Sequence, residues 1–176
     1  MTPRSALALA AFAVALDGCA AVLPPSAFEA GRPEFQPDAF FAGTTTSTGV
    51  LETASGAPSR QFRVTGTGEV TPDGNLRLSQ SIVFGQGAPQ RRTWLLRRLD
   101  AHHYAGTLTD ASGPVRAEAY GTLFHLRYAM RSPFAGSMEQ WLYLQPDGRT
   151  VVNEATVRVA GIVVAHLSER ITHEAR

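Results

Sequence analysis

The chain has 176 residues, 44% of them hydrophobic and 9% aromatic, and its 16 basic and 15 acidic residues leave a net charge of +1. That composition excludes a disordered chain, suits one domain, and gives no electrostatic ground for a nucleic-acid partner. The single cysteine excludes an internal disulfide and leaves too few thiols for a cysteine zinc site, and all 16 basic residues are arginine, a chain-wide bias of genome composition rather than the mark of a site.

The first element is an address. Arg4 supplies one positive charge, and Ala6 to Leu16 is an unbroken apolar run. It falls short of the roughly 20 residues a membrane-spanning helix needs and fits the hydrophobic region of a secretory signal. The run ends in Leu16-Asp17-Gly18-Cys19, which resembles the bacterial lipobox apart from Asp17 at its loosest position. The expected product starts at Cys19, with a diacylglycerol on the thiol. Two or three acyl chains, such as palmitate, hold a protein on a membrane where one is marginal. Ala20 follows, with no aspartate to retain the protein in the inner membrane. By resemblance to Gram-negative lipoproteins, an outer-membrane lipoprotein facing the periplasm is expected. The predicted organisation is a signal peptide over 1–18, a lipid-anchored tether over 19–40 and one domain over 41–176. The tether reading rests on Pro24, Pro25, Pro33 and Pro37, with no apolar period between them.

Past the tether, short runs alternate with turn signals. The clearest turns are Pro72-Asp73-Gly74 and Pro146-Asp147-Gly148, where proline presets φ and glycine accepts a positive one. Strands are predicted near 43–52, 60–71, 75–84, 90–99, 103–110, 115–120, 122–131, 138–145, 149–159 and 162–172. The last run could be helical by composition, but Ile162, Val163 and Val164 are β-branched and favour a strand. Period-two alternation then assigns faces. Leu76, Leu78, Ile82 and Phe84 share a face with Gln80, and Trp94 and Leu96 share one with Arg92 and Arg98. Phe124, Leu126, Tyr128 and Met130 lie together, with His125, Arg127 and Arg131 opposite. Val151, Ala155, Val157 and Val159 align with Asn153, opposite Glu154 and Arg158. One apolar and one polar face per strand, with no helices between, predicts an all-β fold closed as an antiparallel barrel. A barrel of eight to ten strands fills its own interior or holds one small ligand.

Several pieces in this order resemble a family of bacterial lipoproteins of unknown function, the DUF 3833 type. They are Phe40-Phe41-Ala42-Gly43, Gln90-Arg91-Arg92-Thr93-Trp94, and Tyr104 to Asp110 (YAGTLTD), followed by Gly113, Ala117 and Gly121. Gln140-Trp141-Leu142-Tyr143-Leu144, Asn153-Glu154-Ala155 and Gly161 complete the match. The resemblance implies an up-and-down lipocalin-like (calycin-type) barrel of about eight to ten strands, a lipoprotein address and a setting of membrane-lipid chemistry. It implies no activity. Two departures stand out: Gln140 occupies a place where the family usually has an acid, and Glu154 one where it usually has a base. If those positions form a functional pair, this chain has lost or inverted it.

Candidate chemistry is thin. His102, His103, His125, His166 and His173 lack the spacing and companion ligands of a metal site and read as solvent-facing or turn residues. There is no G-x-S-x-G elbow, and Ser112, His125 and Asp110 form a catalytic set only if strand facing is ignored. Asp110 opens a turn, and Glu118 lies on the next strand. Arg91-Arg92 and Arg97-Arg98 each split across two faces. No catalytic residue, metal ligand or cofactor is therefore expected, and protein partners stay undefined. The sharpest expectation concerns polar residues on apolar faces: Gln80, Arg92, Gln140 and Asn153, with Trp94 and Tyr128 beside them. If those faces line a cavity, they form a site for a small acyl or lipid-like apolar molecule, with Arg92 able to take a carboxylate or phosphate. Otherwise they bond one another, or an acid such as Glu118, and close the core. Three readings stay open: a lipid-anchored binding module, a structural or partner-binding envelope lipoprotein with a filled core, and an enzyme of membrane-lipid modification.

Overall fold

The computed structural model describes residues 22–131 and 133–174. Ten strands account for most of them: β1 (Gly43–Thr53), β2 (Pro58–Val70), β3 (Leu76–Phe84), β4 (Gln90–Arg98), β5 (His103–Leu108), β6 (Val115–Tyr120), β7 (Leu123–Met130), β8 (Gly136–Leu144), β9 (Thr150–Val159) and β10 (Ile162–His173). Each pairs antiparallel with its neighbour in sequence, and β1 closes on β10 to complete a barrel without an edge. This is the architecture expected from the alternating faces and turn signals. The β-branched run at Ile162 is a strand, as its side chains favour.

The Pro-Asp-Gly sequences turn the chain as their chemistry dictates. Gly74 has φ +77° and Gly148 φ +66°. In the second turn Asp147 accepts from the amides of Arg149 and Thr150 and from the Thr150 hydroxyl. Those bonds hold its carboxyl near pKa 2. Charged and polar side chains point outward between the apolar ones, so β7 buries Phe124, Leu126, Tyr128 and Met130 toward the axis.

The stretch before β1 departs from the tether expectation. Pro25–Phe28 forms a 3-10 turn and Pro37–Phe41 a short helix, α1. Phe35 is 1% exposed, and Pro37, Phe40 and Phe41 are buried with it. Its ring meets Phe40 at 5.3 Å and Phe124 at 5.6 Å, both edge-on. These aromatics stopper one end of the barrel. His173 Nδ1 lies 2.8 Å from the carbonyl of Phe40, and Phe35 donates its amide to Gly121 at 2.6 Å. The chain crosses closely enough that a Cβ at Gly68 would sit 1.8 Å from the carbonyl oxygen of Phe41, and one at Gly121 1.8 Å from that of Phe28. Proline spacing signals coil correctly over much of this stretch. It carries no sign that three phenylalanines are needed to close an apolar hole.

Phe35→Ala therefore lowers stability by about 3–5 kcal/mol, the usual cost of emptying a buried phenylalanine site. Urea unfolding of the variant against wild type measures it; a loss below about 1 kcal/mol would mean the stopper is not part of the core.

Candidate functional site

Above the aromatic stopper the interior is not filled. Small residues do not account for this: beside Gly49 and Gly66 the room is taken, since a Cβ there would meet the Phe62 ring at 2.3 Å and Thr45 Oγ1 at 2.5 Å. The space left is a cavity of about 490 Å³. Its lining includes Thr53, Ser59, Pro133 and Phe134, all at the end where β1–β2 and β7–β8 turn, opposite the stopper. That end is the mouth. A larger depression, about 870 Å³, lies on the outer surface around Thr48, Arg63, Glu154 and Arg170 and opens away from the barrel interior.

All six residues singled out in sequence, Gln80, Arg92, Trp94, Tyr128, Gln140 and Asn153, line this one cavity. They form a polar layer across its middle. Trp94 donates to Gln80 Oε1 at 2.7 Å, and its ring meets Tyr128 edge-on at 5.6 Å. Gln140 donates to the Tyr128 hydroxyl at 3.3 Å, and Asn153 donates to Gln140 Oε1 at 3.0 Å. Burial pushes the Tyr128 phenol up to about 12, against the lowering influence of Arg92 and Gln140. On β3, β7, β9 and β10 the inward residues between this layer and the mouth are Ile82, Met130, Val157 and Leu167. The polar layer thus sits below an apolar collar.

Arg92 is paired, but with Asp110 rather than Glu118. Its Nε donates to Asp110 Oδ2 at 2.8 Å, with the two side chains 24% and 25% exposed. Glu118 alternates on β6 with the inward Ala117 and Ala119 and so points outward. There it meets His125, which is 3% exposed rather than solvent-facing. His125 Nδ1 lies 3.1 Å from Glu118 and Nε2 3.0 Å from Glu139, with the Trp141 ring 4.0 Å away. An outward strand position is buried here because indole and carboxylates cover it. His173, held to the stopper, is likewise no free surface histidine.

Gln140 and Glu154 cannot form a pair. In the β8–β9 register Gln140 faces Ala155 and Trp141 faces Glu154, so the two side chains leave opposite faces of the sheet. Ser112, His125 and Asp110 fail as a set for the same reason, since Asp110 lines the cavity and His125 sits on the outer wall. Among the described residues no cluster of three His, Cys, Asp or Glu could hold a metal ion. Cys19 lies outside the described residues.

Sequence reasoning missed Glu169. It accepts from Ser47, and from Asn153 Nδ2 at 3.0 Å, inside the same cavity. Burial raises its carboxyl above the ordinary 4.5, although Ser47, Asn153 and Arg92 work against that shift. The signal was present: Ala165, Leu167, Glu169 and Ile171 alternate along β10, which sets one acid in an apolar row.

An edgeless ten-stranded antiparallel barrel around a cavity with a polar middle defines a lipocalin-like protein. Solved structures of that shape include the S-type phycobiliprotein lyase CPES from Guillardia theta (TM-score 0.59, 6% identity, 79% of this chain and 91% of that one). A DUF3598-family protein of unknown function from Nostoc punctiforme PCC 73102 has TM-score 0.59 and 15% identity over 81% of this chain and 51% of its own. Rv2717c from M. tuberculosis has TM-score 0.57 and 15% identity over 81% and 100%. Likeness at such identities concerns the fold alone. The chain belongs to the family described as Protein of unknown function (DUF3833), which matches residues 13–173. A search of curated proteins finds no match.

A carboxyl with a raised pKa keeps its proton longer in the folded state than in the unfolded one. Its contribution to stability is complete below about 4.5 and is lost as pH rises through the folded value. Wild type therefore loses stability relative to Glu169→Gln as pH climbs above 4.5, in paired urea titrations from pH 4 to 8. A difference that stays flat or widens in favour of wild type would show that folding does not raise the Glu169 carboxyl.

Proposed function

We propose that this chain is a lipoprotein anchored to the outer membrane through Cys19, and that its periplasmic barrel holds one amphiphilic molecule with an acyl-type chain. The observation that carries the reading is the cavity. Its volume of about 490 Å³ falls in the range of small-molecule sites, roughly 300–1,000 Å³, and its apolar walls with a few convergent polar groups have the make-up of such sites. A filled-core structural protein would have no such space.

The likeness to a protein titled a phycobiliprotein lyase raises the question of chemistry inside the barrel. We read the site as one for binding. Arg92 is engaged by Asp110, and a phenol near 12 keeps its proton at neutral pH, so neither is free to act as a base. Of the acids on the cavity wall Asp110 is engaged by Arg92, and the Ser47 hydroxyl that donates to Glu169 is not among the residues that line the cavity.

Native mass spectrometry of residues 20–176, expressed without the signal and purified gently, tests the cavity. A stoichiometric adduct that extracts as a single-chain amphiphile is expected. A bare chain mass that also refuses added fatty acids, fatty alcohols and phospholipids would sink the binding reading. The anchor is tested separately: cells fed labelled palmitate should label the full-length chain and leave Cys19→Ser unlabelled, and equal labelling of both would remove Cys19 as the acylated residue.

A further inference from the structure

The two ends of the barrel differ in charge. The five connections around the mouth, 53–60, 84–91, 109–116, 130–137 and 158–163, carry Arg60, Arg91, Arg116, Arg131 and Arg158 against one acid, Asp110. Asp110 is engaged by Arg92, and Arg158 by Glu139. Arg60, Arg91, Arg116 and Arg131 are exposed and make no ion pair among the described residues. At the closed end acids prevail. Segments 22–42, 70–76, 98–103 and 144–150 hold Glu29, Glu34, Asp38, Asp73, Asp100 and Asp147 against Arg32, Arg98 and Arg149.

Apart from their arginines the mouth connections are rich in residues without polar side chains, as in Gly56-Ala57-Pro58, Gly87-Ala88-Pro89 and Ala160-Gly161. Two bulky apolar tips project from them, Phe134 at 44% exposed and Ile162 at 70%. They are neighbours on the rim, because Ser137 faces Arg158 in the β8–β9 register. Phe134 and the half-exposed Val164 also line the cavity, so apolar surface runs without a break from the rim into the barrel. The Arg60 guanidinium lies 5.5 Å over the ring of Phe84, another lining residue, which brings the basic and apolar elements into contact.

Single exposed apolar side chains are ordinary on a protein surface. These stand together at one end, on loop tips, inside a ring of arginines that no acid of the rim matches. An anionic lipid surface fits both features, since its head groups attract arginine and its acyl boundary takes up apolar side chains. An acidic protein would satisfy the arginines but offers no general home for apolar tips on two separate loops.

We propose that the mouth of the barrel docks on an anionic lipid bilayer. Phe134 and Ile162 enter the head-group layer, and Arg60, Arg91, Arg116 and Arg131 meet lipid phosphates. The docking needs no occupant in the barrel and so stands apart from the amphiphile reading. Where both hold, a lipid passes between bilayer and cavity without crossing water. The chain that leads back to Cys19 leaves from the other end, where Phe28 packs on Tyr143 at 5.7 Å, so an acyl anchor would not account for contact at the mouth.

Co-sedimentation of residues 20–176 with vesicles tests this, since the barrel and its stopper lie wholly within 22–174 and no acyl anchor is then present. Phosphatidylcholine vesicles with about 30% phosphatidylglycerol should bind at least about tenfold tighter than pure phosphatidylcholine, each rim arginine contributing about fivefold. The preference should vanish as salt rises from about 0.1 to 1 M, where screening shortens from about 10 to 3 Å. Arg91→Gln, Arg116→Gln and Arg131→Gln should each weaken binding about fivefold, and Phe134→Ser about tenfold. Arg97→Gln, toward the closed end of β4, should change nothing. All five positions are exposed, so each variant keeps the barrel. No binding to anionic vesicles overturns the proposal and leaves the rim to an acidic protein. Equal binding to both vesicles overturns it too, as does an Arg97→Gln loss matching those of the rim variants. A Phe134→Ser protein that binds like wild type also overturns it, since the apolar tip would then stay outside the lipid.

Discussion

The pairing of β1 with β10 is the interaction on which everything else in this molecule depends. It runs from Thr45 opposite His173 to Thr53 opposite Ala165 and converts a ten-stranded meander into a barrel with no free edge. Unpaired strand edges invite association, and closure removes them at a stroke. Closure also fixes the interior. A ten-stranded ring encloses more space than its own inward side chains must fill, so the chain has to stopper one end, leave a hole, or do both. This one does both. Phe35, Phe40 and Phe41 close the end at which β1 begins, and the inward side chains above them leave a cavity of about 490 Å³.

A hole of that kind sets a cost on every polar group facing it. Charges in a poorly solvated interior are costly unless paired, and unpaired hydrogen-bonding groups nearly as much so. The interior meets this with a chain of contacts around its wall, from Ser47 and Glu169 through Asn153 and Gln140 to Tyr128, with Trp94–Gln80 and Arg92–Asp110 facing it. Asn153 Oδ1 is left over although its own nitrogen is doubly engaged. That oxygen is enclosed by the wall, with no surface open to the cavity.

Much of this was legible in sequence because strand facing is a local property. Period-two alternation put Gln80, Arg92, Trp94, Tyr128, Gln140 and Asn153 on inward faces, and any closed barrel must then gather them around one axis. Partner identity was less accessible. Whether Arg92 meets Asp110 or Glu118 depends on which face Glu118 takes on β6 and on the loop after β5, and Ala117 and Ala119 are too small to advertise an inward face. Glu169 was readable from its apolar neighbours on β10 yet stood in a run whose helical character first had to be excluded. The aromatic stopper was hidden for a different reason. Phe35, Phe40 and Phe41 follow neither strand nor helix period, and their burial answers a need of the assembled barrel that no local window contains.

The comparisons make the same division from outside. Barrels sharing 6% and 15% identity with this chain keep its shape, as they can, because closure is written in backbone pairing and in alternation rather than in particular side chains. What such a fold does is decided by the inward set, and positions there are not interchangeable with those outside. Gln140 and Glu154 illustrate it. They look like a matched substitution when read along the sequence, yet one joins the cavity network through Tyr128 and Asn153 while the other accepts a hydrogen bond from Ser168 on the outer wall. An acid at 140 would place a second carboxylate beside Glu169 and alter the charge of the cavity. An exchange at 154 would change only the surface. Facing, more than residue type, separates the position that can govern a ligand from the one that cannot.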